Sequence, residues 1–355
     1  MEDQKKIISG IQQVGIGVPN VKEAWAWYRV NFGMDVPIFQ EEAEAKLMVN
    51  YTGNEVHARN AVLAINMKGG GGFEIWQFTS RTPQPASFDL KMGDHGIFAA
   101  KMKVDNVNQL YNTYKAKGLH LVSEVEVDPE GKKHFFVKDL YGNLFQMEEG
   151  SVWFDKNDYP TGGPSGAIIG VSDIDDALKV YRGILEYDTV EYDETGKFSD
   201  FSAVNGGDRS FRRVKLKHKS LRKGSFSQLL GPSTIELVQL TEDKGNKIYR
   251  DRFWGDLGFI HLCFDIKHMD SLRDECKQKG FPFTVDSQNS FDMGEAAGHF
   301  SYIADPDGTL IEFVETHKIP IMKKVGWYLN LKNRNPEKSL PTWMVKALRF
   351  NRVKD

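Results

Sequence analysis

The sequence predicts an α+β protein built from four similar units, each consisting of a strand, a helix and three further strands. Two observations predict this class: the same strand–helix pattern recurs along the chain, and residues match at constant offsets between the copies. The units lie near residues 8–80, 92–150, 163–241 and 257–316. Internal duplication explains offsets that stay constant over many positions better than convergence of common patterns does.

The first and third units share a predicted helix. VKEAWAWYRVNFGM, from residue 21, and IDDALKVYRGILEY, from residue 174, both carry apolar residues at helical spacing. At one offset of 153, Ala24, Tyr28 and Arg29 match Ala177, Tyr181 and Arg182. In each copy a short alternating strand precedes the helix and begins the unit.

The second and fourth units repeat one another in the same way. KVDNVNQLYNTYKAKGL parallels DIKHMDSLRDECKQKGF at an offset of 162. Both segments are a strand end and a helix, followed by a glycine, Gly118 or Gly280, where a helix C-cap is expected. Downstream, KDLYGNLFQMEE parallels ADPDGTLIEFVE at an offset of 166, and both place a turn before a closing strand.

Composition suggests where the chain divides. The segment EGSVWFDKNDYPTGGPSG, rich in Gly, Pro, Asn and Asp, separates the second unit from the third and is the best candidate for an interdomain linker. The predicted domains are residues 8–150, with two units, and residues 163–317, with two units and the metal site. Residues 318–355 form a basic extension, in which TWMVKALRFNRV is expected to be an amphipathic helix docked on the body. A role at a membrane surface or in binding an anionic ligand is the alternative.

The bulk composition narrows the class of function. Forty per cent of the residues are hydrophobic, and the net charge of −3 comes from well-mixed acids and bases, which does not favour a nucleic-acid partner. Cys263 and Cys276 are too few for a disulfide framework or a cysteine-rich metal site. No apolar run has the length of a signal peptide or of a membrane span. We therefore expect a soluble, cytoplasmic protein that binds a small molecule without a membrane partner; its oligomeric state stays open.

One predicted strand raises a chemical question. In GFIHLCFDI, His261 alternates with Leu262 and Phe264, so the imidazole lies on the face opposite to the apolar residues that pack beneath a helix. In TLIEFV, Glu312 stands among apolar residues, and a carboxylate there is costly to bury unpaired. A metal ion or a hydrogen-bonding partner would remove that cost.

These motifs resemble the vicinal oxygen chelate superfamily, the group of glyoxalase I, fosfomycin-resistance proteins, methylmalonyl-CoA epimerase and extradiol dioxygenases. The matching stretches, from QQVGIGVPNVKEAWAWYRVNFG to DPDGTLIEFVE, cover nearly everything between residues 11 and 316. The resemblance implies that two units form a cupped eight-stranded mixed sheet around a metal, so that the chain has two such sheets. It also implies ligands on the first and fourth strand of each unit. The corresponding positions are Gln13, Ala99, Gly166 and His261 on first strands, and Glu74, Gln146, Glu236 and Glu312 on fourth strands.

The units can pair in two ways. If neighbours pair, His261 and Glu312 share a cup with Glu236. If the outer units pair, Glu74 and Gln13 take the place of Glu236, giving a set that resembles the Gln-Glu-His-Glu ligands of some glyoxalase I enzymes. The sequence favours neighbours, because the connection between the third and fourth units has an ordinary length for adjacent units, but both pairings stay open.

The resemblance implies one divalent ion, with Zn, Mn, Ni, Co, Mg and Fe as candidates, acting as a Lewis acid. We expect a metal-dependent lyase or isomerase of glyoxalase or epimerase type, acting on a small chelating carbonyl substrate by proton transfer. Glu236 or Glu74 would be the base. Tyr302 joins the predicted site because YIADPDGTLIE matches the end of the extradiol signature.

Two alternatives remain, a ring-cleaving extradiol dioxygenase and a non-catalytic small-molecule binding protein. The dioxygenase needs two histidines and one carboxylate for Fe(II). Gly166 stands where the first histidine would be, the upstream histidine near residues 293–295 is absent, and His299 is out of register. Seven further histidines lack this context and are expected to be structural: His57, His95, His120, His134, His218, His268 and His317.

Overall fold

The computed structural model describes residues 5–288, 291–292, 297–322 and 326–353. In this part of the chain, no helix is both long and apolar enough to cross a membrane.

The four predicted units are present, and each begins with a strand that is followed by a helix. The first unit consists of β1 (Ile7–Gly17), α1 (Val21–Phe32), β2 (Val36–Glu44), β3 (Ala58–Ile65) and β4 (Gly72–Phe78). The second consists of β5 (Gly96–Val104), α2 (Val107–Ala116), β6 (His120–Leu121), β7 (Glu126–Val127), β8 (Lys133–Lys138) and β9 (Leu144–Glu149).

The second half of the chain repeats this order with additions. The third unit consists of β10 (Thr161–Gly170), α3 (Ile174–Tyr181), β11 (Thr189–Gly196), β12 (Phe211–Lys217), α4 (Ser227–Leu230) and β13 (Thr234–Leu240). The fourth consists of β14 (Gly258–Lys267), α5 (Met269–Gln278), β15 (Val285–Asp286), β16 (Phe291–Asp292), β17 (Ala297–Ala304) and β18 (Leu310–Met322). The extension adds β19 (Trp327–Asn330), α6 (Thr342–Lys346) and a 3₁₀ turn at Ala347–Asn351.

Local sequence explains why the helices begin and end where they do. Asn20 caps α1, its side chain accepting hydrogen bonds from the backbone N–H groups of Lys22 and Glu23. The helix ends at Gly33, which has φ 63°, a left-handed conformation that glycine adopts without steric cost. The predicted helix of the extension is present as α6 with the 3₁₀ turn, and Leu348 in that turn is buried against the body.

The strands form two mixed sheets, as the fold class predicts. The first sheet has the order β15-β17-β18-β14-β1-β4-β3-β2, with β16 and β19 on its side paths. The second has the order β11-β12-β13-β10-β5-β9-β8-β6, with β7 alongside β8. In every unit the first strand runs parallel to the last, and first strands of two units meet antiparallel at the centre of each sheet.

The prediction that neighbouring units pair was wrong. The first unit shares a sheet with the fourth, through β1 and β14, and the second shares a sheet with the third, through β5 and β10. Each sheet therefore takes one unit from residues 8–150 and one from residues 163–317. The connection between β13 and β14 crosses from one sheet to the other, so its ordinary length did not identify the partner.

The main hydrophobic core joins the two sheets. Aromatic rings of the first and second units meet there: Phe32 lies 4.9 Å from Phe145 between ring centroids, and Phe73 lies 5.7 Å from Phe145. Such edge-to-face and tilted contacts add to the free energy gained by burying the rings. With the apolar faces of both sheets turned toward this core, the opposite faces are left to line the two cups.

Candidate metal centre

The centre of the first sheet brings together four polar side chains from four strands. In the register of β1, Gly15 lies opposite His261 on β14 and beside Glu74 on β4. Cys263 also lies on β14, two residues beyond His261. It pairs with Gln13 on β1 on one side and with Glu312 on β18 on the other. Because side chains alternate along a strand, these positions project onto one face of the sheet.

The donor atoms of these side chains lie close together. His261 Nε2 is 3.2 Å from Glu74 Oε2 and 3.1 Å from Glu312 Oε2. Gln13 Nε2 donates to the same two oxygens, at 3.1 and 3.3 Å. All four residues are buried, with His261 fully enclosed. Glu74, His261 and Glu312 form the group of possible metal ligands in the described part of the chain.

The arrangement fits a small cation. Ligand atoms that bind one ion at 2.0–2.2 Å are separated by roughly 2.8–3.6 Å, depending on the coordination geometry. The distances from His261 to the two carboxylates fall within that interval. Two buried atoms, His261 Nε2 and Gln13 Oε1, have no hydrogen-bond partner among the described residues. A rotation of the Gln13 amide would turn Oε1 toward the carboxylates, where a cation would satisfy both atoms.

The electrostatics favour positive charge at this point. Burial alone would lower the pKa of the His261 imidazole, but the carboxylates of Glu312 and Glu74 outweigh burial and raise it to about 10. Nδ1 of the same ring lies 3.3 Å from the hydroxyl of Tyr302. Burial and the charges of Glu312 and Glu74 raise the pKa of Tyr302 well above its usual range, so the phenol keeps its proton. The hydroxyl therefore fixes the ring while Nε2 faces the carboxylates.

Gly15 provides the space that the imidazole occupies. A Cβ atom at this position would lie 2.5 Å from Cε1 and 2.7 Å from Nε2 of His261. Both distances are far inside van der Waals contact, and the ring is enclosed on all sides. The absence of a side chain at residue 15 is therefore part of the construction of the centre.

Gly15→Ala is expected to push the imidazole away from Glu74 and Glu312 and to weaken divalent-cation binding by at least about tenfold, as loss of a supporting residue does. Calorimetric titration with Zn²⁺ would measure this. Gly131→Ala is the control, because a Cβ there meets open space; its φ of 84° is left-handed, whereas that of Gly15 is not, so the control carries backbone strain without a clash. Equal zinc affinity in the Gly15 variant and the wild type would contradict this account of the glycine.

A cavity of about 320 Å³ opens beside the four side chains. Gln13, Glu74, Glu312 and Tyr302 line it at one end. Aromatic and aliphatic side chains form most of the remaining wall, together with the ion pairs of Arg59 with Glu41 and of Lys46 with Glu44. This is the usual construction of a small-molecule site.

The structure contradicts the prediction that Glu236 joins His261 as a third ligand or as a base. Glu236 lies on β13 in the second sheet, fully buried. One carboxylate oxygen is 2.8 Å from Lys101 Nζ, and the other is 2.6 Å from Arg213 Nη2 and accepts a hydrogen bond from Tyr192. The cations of Arg213 and Lys101 outweigh the effect of burial and hold the pKa of Glu236 well below its usual range.

The remaining predicted positions divide in the same way between the sheets. Ala99, Gly166 and Gln146 lie in the second sheet with Glu236, away from His261. A Cβ at Gly166 would lie 3.1 Å from Cδ of Lys101, whose ammonium group pairs with Glu236 in the second sheet. The predicted ligand set of the outer units is the one that the fold brings together.

The histidines expected to be structural have ordinary partners where the structure gives them. Nε2 of His134 is 3.2 Å from Asp200, and His218 is 3.0 Å from the carbonyl oxygen of Leu185. His299 is bound to Asp286, at 2.6 Å, and not to the ligand group. The positions near residue 294, where a further histidine was sought, lie outside the described residues.

Sequence reasoning missed several residues that shape the cavity. Trp254 lies in a connection between units, where no periodic pattern marks it, yet its ring stacks at 13° to His261 with centroids 6.4 Å apart. Leu229 and Leu230 come from α4 in the third unit, and Leu348 comes from the extension. The signal available in the sequence for α4 was the inserted segment between β12 and β13, which only the third unit has.

Comparison with known proteins agrees with this fold. The family model described as Glyoxalase/Bleomycin resistance protein/Dioxygenase superfamily matches residues 10–147 and 165–313. Comparison with curated protein sequences finds no match. Glyoxalase I from Zea mays has 12% identity and a TM-score of 0.52, over 88% of this chain and 92% of that one. A putative dioxygenase from Bacillus subtilis also has 12% identity, with a TM-score of 0.56, over 88% of this chain and 86% of that one.

At these identities the two solved structures establish similarity of fold alone. The family match is of a different kind, since it spans most of the sequence and falls into two segments, each of which contains two of the four units. The chain belongs to the Glyoxalase/Bleomycin resistance protein/Dioxygenase superfamily.

Proposed function

We propose that the protein is a metal-dependent lyase or isomerase that moves a proton on a small chelating carbonyl substrate. The observation that carries this proposal is the convergence of Gln13, Glu74, His261 and Glu312 at the polar end of an apolar cavity. Such a set offers one imidazole nitrogen and three oxygens. Zn, Mn, Ni, Co and Mg are suited to it as Lewis acids.

The donor set gives less support to the ring-cleaving dioxygenase. That chemistry uses two histidines and one carboxylate around Fe(II). In the described part of the chain, His261 is joined in its cluster by two carboxylates and by no second histidine. The similar fold of a putative dioxygenase leaves the reaction type undecided, because one fold supports many chemistries.

When bound, a divalent cation would polarise a substrate carbonyl and so make the adjacent C–H group more acidic. Glu74 is the better candidate for the base. Glu312 lies between Cys263 on β14 and Tyr302 on β17 in the register of the sheet, and these neighbours restrict its movement. Glu74 lies between Gly15 on β1 and Leu63 on β3, so next to it on one side there is no side chain, and its carboxylate is freer to reach a substrate proton from the cavity wall.

Tyr302 provides a second group that can donate a proton to a hydrogen bond at the same end of the cavity. Its hydroxyl contacts His261 Nδ1, and its high pKa keeps it protonated across the neutral range. The hydroxyl can therefore donate a hydrogen bond to a substrate oxygen. The indole of Trp254 lies nearly parallel to the imidazole, with ring centroids 6.4 Å apart, and adds an apolar wall beside the polar groups.

Glu74→Gln is expected to abolish proton exchange even when enough zinc is added to refill the site. The amide keeps the size of the side chain but cannot accept the proton, and loss of a general base costs about 10²–10⁴-fold in rate. The assay follows deuterium incorporation from D₂O into the carbinol carbon of hydroxyacetone and of benzoin, two neutral hydroxyketones with vicinal oxygens.

Glu312→Gln, measured at its own saturating zinc concentration, is the matched control and should keep most of the exchange rate. The opposite result, with Glu312→Gln inactive and Glu74→Gln active, would assign the base to Glu312. A zinc-loaded wild type that binds both hydroxyketones without catalysing exchange would favour the non-catalytic binding protein instead.

A further inference from the structure

The wall of the cavity has a composition that restricts what it can bind. We propose that the cavity takes a neutral molecule whose vicinal oxygens lie at one end and whose remaining body is apolar and aromatic, with α4 and the C-terminal extension forming part of the wall that selects it. This inference rests on the proposed function for the chelating end, but the argument for the apolar body depends only on the wall.

Aromatic rings surround the end that contains the ligand cluster. Trp76 and Trp254 are in edge-to-face contact, with centroids 4.3 Å apart and planes at 70°. Tyr302 lies at 90° to Trp254, with centroids 6.3 Å apart. Phe39 and Phe300 also line the cavity. Ring faces and edges at these angles form a slot that favours a flat aromatic group.

Another part of the wall is formed by aliphatic side chains from distant parts of the sequence. Leu229 and Leu230 come from α4, which belongs to the third unit and therefore to the second sheet. Leu348 comes from the 3₁₀ turn of the extension, and Ile319 comes from the end of β18. All four residues belong to one buried apolar cluster. The body of a bound molecule therefore meets mostly aromatic and aliphatic side chains.

The charges of the wall argue against an anionic substrate. Its buried cation is already paired: Arg59 lies 2.8 Å from the Glu41 carboxylate. Lys46 is exposed at the rim and lies 3.3 Å from the Glu44 carboxylate, so it does not enter the enclosed part of the cavity. Arg59 also lies over the ring of Trp76, which holds the guanidinium in place. Among the described lining residues, no other lysine or arginine is present. A carboxylate or phosphate on the far part of a ligand would be buried without a counter-ion, at a cost of several kcal/mol.

The volume of the cavity agrees with a small aromatic occupant. A volume of about 320 Å³ is at the lower end of the range for cavities that enclose a drug-sized molecule. Two aromatic rings with a short oxygenated link fit such a space. Acyl carriers with nucleotide groups and peptide-like thiol conjugates are larger and carry the negative charges that the wall does not accommodate.

Benzoin tests the proposal directly, because it joins two rings through vicinal oxygens and is neutral. Calorimetric titration of the full-length protein would compare it with 4-carboxybenzoin, which adds one charge far from the oxygens, and with hydroxyacetone, which lacks the rings. Benzoin is expected to bind at least tenfold more tightly than either. Equal or tighter binding of 4-carboxybenzoin, or no binding of benzoin, would overturn the proposal.

The contribution of the extension is tested with a matched pair of variants. Leu348→Ala removes a side chain from the cavity wall and should weaken benzoin binding about tenfold, the effect of losing part of a buried leucine contact. Leu331 lies in the same buried cluster but outside the cavity wall. Leu331→Ala should therefore leave the affinity for benzoin within about twofold of that of the wild type. Similar losses in both variants would mean that the extension acts only on stability.

The same titrations separate this inference from the proposed function. They are run with zinc-loaded and with metal-free protein. A wild type that binds no metal would refute the proposed function. The relative affinity for benzoin and 4-carboxybenzoin in that metal-free protein would still show whether the wall selects a neutral, apolar body.

Discussion

His261→Ala is expected to lower the affinity for a divalent cation by more than about 100-fold. Loss of a residue that only supports a ligand already costs about 10–100-fold in metal affinity, and His261 would be a ligand itself. It is also the sole imidazole in the described ligand group, so the variant leaves two carboxylates and an amide. Metal content of untagged protein, measured by mass spectrometry after dialysis against a trace of Zn²⁺, gives the result.

His95→Ala is the control for this experiment. His95 lies 3.4 Å from Asp307 and belongs to no group of possible ligands in the described residues. The His95→Ala variant should bind as much zinc as the wild type. Equal metal content in wild type, His95→Ala and His261→Ala would remove the metal centre from consideration.

Glu236→Gln should destabilise the fold by about 3–5 kcal/mol without changing metal affinity. Glu236 is the counter-ion of Lys101 and Arg213, and all three side chains are fully buried. Removing one partner of a buried ion pair is strongly destabilising in a medium of low polarity. Arg213 keeps Asp200 and Lys101 keeps Glu148 as partners, so we expect the lower end of that interval. Urea denaturation followed by circular dichroism would measure the free energy of unfolding.

The pH dependence of this contribution follows from the direction of the pKa shift. The pKa of Glu236 is held below its value in the unfolded chain, so the stabilisation is fully present above the unfolded pKa of about 4.3 and is lost as the pH falls through the folded pKa. The difference in stability between wild type and Glu236→Gln should therefore shrink below pH 4.

Glu74→Gln is the complementary variant and should give the reverse pattern, with weaker metal binding and nearly unchanged stability. The two residues hold equivalent positions in their units, so the comparison isolates the surroundings of the carboxylate. If Glu236→Gln lost the metal while Glu74→Gln kept it, the assignment of the centre to the first sheet would fail.

The different roles of these two glutamates show what the sequence could not predict. Both stand in short apolar strands with similar patterns, and the resemblance named both as ligand positions on fourth strands. What distinguishes them is the partner across the sheet: Glu236 lies opposite Lys215 and beside Lys101, whereas Glu74 lies beside Gly15. The cations at alternate positions of β12, starting with Arg213, were a signal that the second cup is filled by charge.

Pairing of the units was beyond the reach of local patterns for a related reason. The contact that decides it joins β1 to β14, strands separated by most of the chain, and periodicity carries no information on such distant partners. The constant offsets between the units nevertheless have a structural cause. Tyr28 on α1 donates a hydrogen bond to Asp139, and Tyr181 on α3 donates one to Asp305, so the matching residues hold consecutive units together across the two sheets.

The pairing of β1 with β14 has a consequence for the order in which the protein is made. The first unit leaves the ribosome early, but its partner strand is synthesised only after the two middle units, tens of seconds later at about 5–20 residues per second. The second and third units can close their sheet in that interval. The first unit waits with β1 unpaired on one side, and Gln13 and Glu74 meet His261 and Glu312 only when the last unit emerges. The centre is therefore completed only after the fourth unit has been synthesised.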